Sequence, residues 1–233
     1  SRVMGVARNG VAKAYPILIM NWHEIVNDQF DDEAVAVTFC PLCGTGISFE
    51  ATLAGKPTRF GVSGLLYNSD VLLYDKNSES LWSQVSATAV AGPMKGDKLK
   101  LVPTDHTSWA DWLERHPDTL VLSEETGFNR NYTRDPYHGY GDSKTVMFSV
   151  RESSALYHPK ELVLALNIDG KVKAWPFSEL RKAGVGTDKS GKAISDSVGG
   201  EKFEVQFDDA NNTARAVRKD GTPLPAIIAF WFA

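Results

Sequence analysis

The chain has 233 residues and two cysteines, which stand three apart in Phe39-Cys40-Pro41-Leu42-Cys43-Gly44-Thr45-Gly46. A Cys-Pro-x-Cys-Gly run reads as a knuckle turn, in which a Gly-assisted bend aims two thiolates at one metal ion while backbone N–H groups support the sulfurs. Three kinds of chemistry are open to such a pair. The thiolates could hold a transition metal, the dithiol could exchange with disulfides, or a covalent bridge could simply tie the turn. In a thioredoxin-like redox motif the Cys-x-x-Cys opens a helix, whose N-terminus lowers the first thiol's pKa. Here Gly44, Thr45, Gly46 and Ile47 predict strand, turn, strand instead, which favours the metal.

A closed tetrahedral site takes four protein ligands, and no second cysteine pair exists. The remaining ligands must come from the histidines (His23, His106, His116, His138, His158), from carboxylates, or from solvent. His23 is the preferred third ligand, because it lies in Trp22-His23-Glu24, shortly before the strand that delivers Cys40. Glu24 or Asp28 could orient its ring from behind. The resulting Cys₂His set suits copper first and zinc second. His138, inside a Tyr-rich loop, is the other candidate, able to close over a metal held by the first half of the chain. His116 precedes Pro117 at a helix end, where a cation meets the negative end of the dipole, and is read as structural. His106 and His158 lie in turn-like sequence and are read the same way.

The bulk properties exclude several classes. A formal net charge of -4 offers no basic footprint for nucleic acid or anionic lipid. No apolar stretch approaches the roughly 20 residues that span a bilayer, and Tyr15-Pro16-Ile17-Leu18-Ile19-Met20 is typical of the longest. Glycine spacing matches neither the dinucleotide fingerprint nor the Walker loop, and there is no Gly-x-Ser-x-Gly elbow and no Cys-x-x-Cys-His haem attachment. The chain opens at Ser1 in strand-like sequence with no initiator Met, so a leader or an anchor is expected to have been removed or left out. The apolar run Ala229-Phe230-Trp231-Phe232-Ala233 is expected either to continue or to tuck into a core.

The elements that must position the thiols come from an internal echo. Residues 3–16 align without gaps, at an offset of 160, with residues 163–176. Both copies place Asn-Gly or Asp-Gly between alternating apolar positions, the sign of a hairpin with a type I′ turn, and both then reach Lys-Ala-aromatic-Pro and a short helical stretch, 17–26 and 177–183. The expected fold is mainly β (α+β), a duplicated β-rich unit with hairpins and a few short helices. Residues 1–125 form the first unit with the Cys-Pro-Leu-Cys turn, 126–160 a Tyr/Gly-rich connecting loop region, and 161–233 a second, partial repeat, all in one compact domain. Strands are expected at 34–39, 58–64, 71–75, 80–85, 119–123, 202–207 and 214–218, with polar Gly-rich sequence over 184–201. The clearest helix runs from Thr107 or Ser108 to Pro117, with Trp109, Trp112 and Leu113 on one face. The tyrosines of 126–143 predict a loop that is ordered against the body, over the cysteines, and able to receive a protein partner or small-molecule ligand.

Taken in order, Ala14-Tyr15-Pro16, His23-Glu24-Ile25-Val26-Asn27-Asp28, Val37-Thr38-Phe39-Cys40-Pro41-Leu42-Cys43-Gly44-Thr45, Phe60-Gly61-Val62-Ser63-Gly64-Leu65-Leu66-Tyr67-Asn68-Ser69, Ser80-Leu81-Trp82-Ser83-Gln84 and Trp109-x-x-Trp112-x-x-x-His116-Pro117 resemble the bacterial and archaeal domain-of-unknown-function family 3179. The likeness covers nearly the whole chain. It implies one shared fold and export, so an extracytoplasmic setting, and it carries no reaction with it. The functional expectation is an extracytoplasmic metal-binding protein in metal handling or electron transfer. The alternatives are a thiol–disulfide redox protein using Cys40 and Cys43, and a binding or assembly module with a structural disulfide.

Overall fold

The computed structural model describes residues 1–185 and 193–232. The fold is mostly β, built from several small antiparallel sheets in a propeller-like ring with three short helices among the described residues: α1 (Ile17–His23), α2 (Trp109–Arg115) and α3 (Phe177–Lys182). No helix among them is long and apolar enough to cross a membrane.

The echo is structural. Strands Arg2–Arg8 and Val11–Pro16 pair from Val3 against Pro16 to Arg8 against Val11. Leu162–Ile168 and Lys171–Pro176 pair in the same register, from Val163 against Pro176 to Ile168 against Lys171. Asn9-Gly10 and Asp169-Gly170 close the two hairpins with both residues at positive φ, as a type I′ turn requires. Each hairpin leads through its proline into a short helix, α1 or α3.

The repeat runs further than the sequence revealed. After α1 come Ile25–Phe30, Glu33–Cys40 and Thr45–Glu50, an antiparallel meander. After α3 come Ile194–Val198, Glu201–Asp208 and Thr213–Val217, paired in the same way at an offset of 168. Phe30 against Glu33 matches Val198 against Glu201, and Cys40 against Thr45 matches Asp208 against Thr213. The polar stretch expected over 184–201 lies partly outside the described residues and otherwise contains the strand Ile194–Val198.

Between the repeats, Phe60–Tyr67, Asp70–Asp75, Leu81–Ser83 and Thr88–Ala91 form a four-stranded sheet. Residues 122–161 carry no strand or helix, yet Tyr132 and Tyr140 are buried, so this loop packs on the body as its tyrosines required. Ser108 caps α2 by accepting the Asp111 N–H at 3.1 Å. The helix buries Trp112, whose ring lies where a Cβ on Gly5 would stand, 2.2 Å away, so only glycine fits there. Trp109 packs partly buried against the same cluster as Trp112, whereas Leu113 is 38 % exposed and does not share that face. The strand Ile227–Phe230 pairs with Leu162–Ile168, which ties the apolar end of the chain into the second repeat.

Candidate metal centre

The cysteine turn joins Glu33–Cys40 to Thr45–Glu50 through Pro41, Leu42, Cys43 and Gly44. Gly44 takes φ +60°, and a Cβ there would meet the Phe230 ring at 2.8 Å, so both conformation and space demand glycine. The Cys43 carbonyl accepts from Thr45 Oγ1 at 3.1 Å and from the Phe230 N–H at 2.8 Å, which fixes the bend. Both cysteines are free and buried, with their sulfurs 3.3 Å apart. Leu42, Ile47, Phe49, Leu73, Trp82 and Tyr140 pack in the same cluster.

A second turn faces the sulfurs. Asn68-Ser69 reverses the chain between Phe60–Tyr67 and Asp70–Asp75, both residues at positive φ. The left-handed conformation is unfavourable for serine, and here it brings the Ser69 carbonyl to 3.1 Å from Cys43 Sγ and 3.8 Å from Cys40 Sγ. Ser69 is itself buried, its hydroxyl donating to the Phe148 carbonyl at 2.7 Å. The next residue, Asp70, is 4 % exposed and sets Oδ1 at 3.8 Å from Cys43 Sγ. Its Oδ2 accepts from the Val85 N–H at 3.0 Å and from Ser83 Oγ at 3.3 Å, leaving Oδ1 turned to the sulfurs.

Among the described residues, Cys40, Cys43 and Asp70 are the set of three His, Cys, Asp or Glu side chains whose ligand atoms lie within 4.8 Å of one another. His23 is not in it. That side chain ends α1, and its Nε2 meets Tyr132 Oη at 2.6 Å, with Tyr132 Oη in turn 2.6 Å from Thr126 Oγ1. Its ring packs beside Phe128, so His23 anchors the Tyr-rich loop instead of facing the sulfurs. Burial, with Arg130 nearby, pushes its pKa below the usual histidine range. His138 is exposed on that loop and lines a surface cavity with Tyr137 and Tyr140. The loop does reach the site, through Tyr140 in the core beside the cysteines. Lys160 holds this part of the loop, donating to the Ser143 and Thr145 carbonyls with its ammonium 3.8 Å above the Tyr140 ring.

The sulfurs therefore meet oxygen acceptors, a carbonyl and a carboxylate, where a knuckle was expected to offer N–H donors. Burial raises the Asp70 pKa from 3.8 to about 6 against the opposing hydrogen bonds from Val85, Ser83, Cys43 and Val71, none of which carries positive charge. The Cys43 thiol is driven up by its bond with Cys40, by burial and by Asp70. Such a pocket favours the protonated forms of both groups and resists gaining negative charge.

Sequence reasoning missed Asp70 and Ser69. A signal existed in Asn68-Ser69-Asp70-Val71-Leu72-Leu73, where a carboxylate opens an otherwise apolar strand and must be buried with it.

Fold and site together define a β-rich, internally repeated protein with a buried dithiol–carboxylate cluster. The chain belongs to the family described as "Protein of unknown function (DUF3179)", which matches residues 1–233. No curated protein and no solved structure matches it.

Proposed function

We propose that this protein is an extracytoplasmic metal-binding protein that holds one transition ion, zinc ahead of copper, on Cys40, Cys43 and Asp70, with the Ser69 carbonyl as fourth donor. The observation that carries the reading is the convergence of these four donors at one buried point without a countercharge. Around tetrahedral zinc, two thiolates stand about 3.8 Å apart and a thiolate and an oxygen about 3.6 Å. Here the sulfurs are 3.3 Å apart, the Ser69 carbonyl is 3.1 and 3.8 Å from them, and Asp70 Oδ1 is 3.8 Å from Cys43 Sγ, with the ligand atoms of Cys40, Cys43 and Asp70 all within 4.8 Å of one another.

The donor set decides between metals. Copper(I) favours sulfur and imidazole, whereas zinc accepts carboxylate and carbonyl oxygen beside thiolate, and Asp70 in the place expected for His23 moves the preference to zinc. A closed, four-donor site is the structural kind, which keeps its ion instead of relaying it. Burial argues against disulfide exchange, because an attacking thiolate needs access to a sulfur, and Cys43 is held in its protonated form. In an oxidising compartment two bare thiols this close would join, and a bound ion prevents that.

Metal quantification and X-ray absorption on protein prepared without an affinity tag test the reading. The expected result is one zinc per chain with two sulfurs at about 2.3 Å and two oxygens at about 2.1 Å. Cys40→Ser and Asp70→Ala should lose the metal, and His23→Ala should keep it. Full occupancy in Cys40→Ser, or a metal-free protein with Cys40 and Cys43 covalently joined, refutes the proposal.

A further inference from the structure

A cavity of about 200 Å³ lies where the two repeats meet. Pro41 and Gly44 of the cysteine turn line it from one side, Asn212 of the matching turn and Phe230 from the other. Two of its polar groups, Arg2 and His106, lack the partner their chemistry calls for.

Arg2 donates through Nη1 to the Asn211 and Asn212 carbonyls at 2.6 and 3.0 Å, and through Nη2 to the His106 carbonyl at 3.0 Å. All three acceptors are neutral. Among the described residues no carboxylate forms an ion pair with Arg2, although every other arginine bond of this kind in the two repeats goes to an acid, as at Arg8, Arg181, Arg215 and Arg218. A guanidinium has five donors, so two of them stay free here.

His106 is 8 % exposed and packs edge-on against Phe39. Its Nδ1 is sealed from solvent and has no hydrogen-bond partner. A bare buried lone pair is tolerated better than a bare buried N–H, so the proton belongs on Nε2. Nε2 has no partner among the described residues either, and His106 lines the cavity, so Nε2–H is the donor this ring can offer a ligand there. Burial and the charge of Arg2 keep this ring neutral, with a pKa lowered to about 3. The cavity thus presents a cation and a neutral N–H donor between aromatic walls.

We propose that this cavity binds a small organic carboxylate, its charge neutralised by Arg2, one oxygen accepting from His106 Nε2–H, and its carbon chain against Phe39 and Phe230. The size suits a molecule of roughly ten non-hydrogen atoms, well below drug-sized ligands. The inference goes beyond the metal reading and does not rest on it, since neither Arg2 nor His106 is among the proposed ligands.

Titration calorimetry of the whole protein with acetate, butyrate, benzoate, sulfate and inorganic phosphate is the test. Benzoate and butyrate should bind saturably and more tightly than acetate, and more tightly than sulfate or phosphate. Arg2→Gln should weaken binding roughly tenfold or more, with Arg2→Lys in between, because a lysine keeps the charge and loses the fork. Long-range nitrogen–proton NMR should find His106 neutral with the proton on Nε2 at pH 7, its shift moved by benzoate, a readout that needs no variant to fold. The proposal fails if no carboxylate binds with a dissociation constant below about 10 mM. It fails equally if the inorganic ions bind more tightly, or if Arg2→Gln, folded as judged by its NMR spectrum, binds benzoate as the parent does.

Discussion

Replacing Asp70 by asparagine should move the metal-free and the zinc-loaded protein in opposite directions. In the metal-free protein the carboxylate is a liability above its titration point. Burial raises its pKa from 3.8 to about 6 in the folded state, and a shift of that size corresponds to about 3 kcal/mol. Between those two values the unfolded chain has released the proton that the folded protein still holds. Wild-type stability therefore falls as pH rises through that window and stays low above about pH 6. Asparagine removes the charge and keeps an amide oxygen for the Val85 N–H and Ser83 hydroxyl, now at 3.0 and 3.3 Å from Asp70 Oδ2. Its NH₂ then faces Cys43 as a donor. Metal-free Asp70→Asn should match the parent near pH 4 and exceed it at pH 7.5 by up to about 3 kcal/mol, several degrees in Tm.

Zinc reverses the order. At free zinc a thousandfold above its dissociation constant the parent gains about 4.1 kcal/mol, more than the roughly 3 kcal/mol that the buried carboxylate costs it, whereas the variant, with an amide where the carboxylate donor stood, gains little. Thermal unfolding by calorimetry with and without zinc, at pH 4 and 7.5, reads all four states. If Asp70→Asn is less stable than the parent without metal at pH 7.5, the burial argument is wrong. If zinc raises both proteins by the same amount, Asp70 is not a ligand.

Gly44→Ala should cost about 2 to 4 kcal/mol in urea unfolding, combining a left-handed alanine with overlap on the Phe230 ring. His23→Ala should leave metal content unchanged, cost about 1 kcal/mol for the lost Tyr132 bond, and speed proteolysis within 126–132. Cys40→Ala with Cys43→Ala should keep the fold, because the turn is tied by backbone groups, and should abolish any zinc-dependent rise in Tm. Trp82→Phe should cost about 2 kcal/mol or more, from lost volume and from the Asp75 carboxylate losing a bond at 3.0 Å.

Local chemistry was the legible part of this chain. Asn9-Gly10 and Asp169-Gly170 dictate their turns whatever surrounds them, so the paired hairpins could be read at a constant offset. The last two strands of the second meander, expected at 202–207 and 214–218, are present, but their correspondence to the first meander is hidden because the offset grows from 160 to 168 after α3, and the paired strands share few side chains. Leu113 falls outside the buried face because a seven-residue helix covers its cluster with two indoles, Trp112 and the partly buried Trp109, and needs no wider apolar stripe. The site was half legible. Cys40 and Cys43 announce themselves by spacing, but the Ser69 carbonyl has no sequence signature, and Asp70 is brought in by a different sheet. His23 looked close because it is close in sequence, yet the left-handed Glu24 that ends α1 turns the chain, and the imidazole meets the 126–132 loop.

The second repeat shows what this turn needs in order to close. Asp208 and Asn211 occupy the places of Cys40 and Cys43, and Asn212 takes the left-handed position of Gly44. There the Asp208 carboxylate accepts from the Asn211 N–H at 3.1 Å and from its Nδ2 at 2.7 Å, a self-contained hydrogen-bonded closure. In the cysteine turn the matching side-chain contact is Cys40 Sγ to Cys43 Sγ at 3.3 Å, with no bond from a sulfur to the Cys43 N–H, and both sulfurs also look outward to the Ser69 carbonyl, with Asp70 beside Cys43. Buried cysteine can serve as a small apolar filler, and the cluster around Leu42 and Trp82 would accept it as such. A filler does not account for Asp70, however, because a carboxylate buried beside it without a countercharge costs stability that leucine or valine would avoid. Nor does it account for a serine held left-handed so that its carbonyl points at both sulfurs. Two thiols, a carboxylate and a strained carbonyl, each unfavourable alone, become mutually favourable once a cation sits among them.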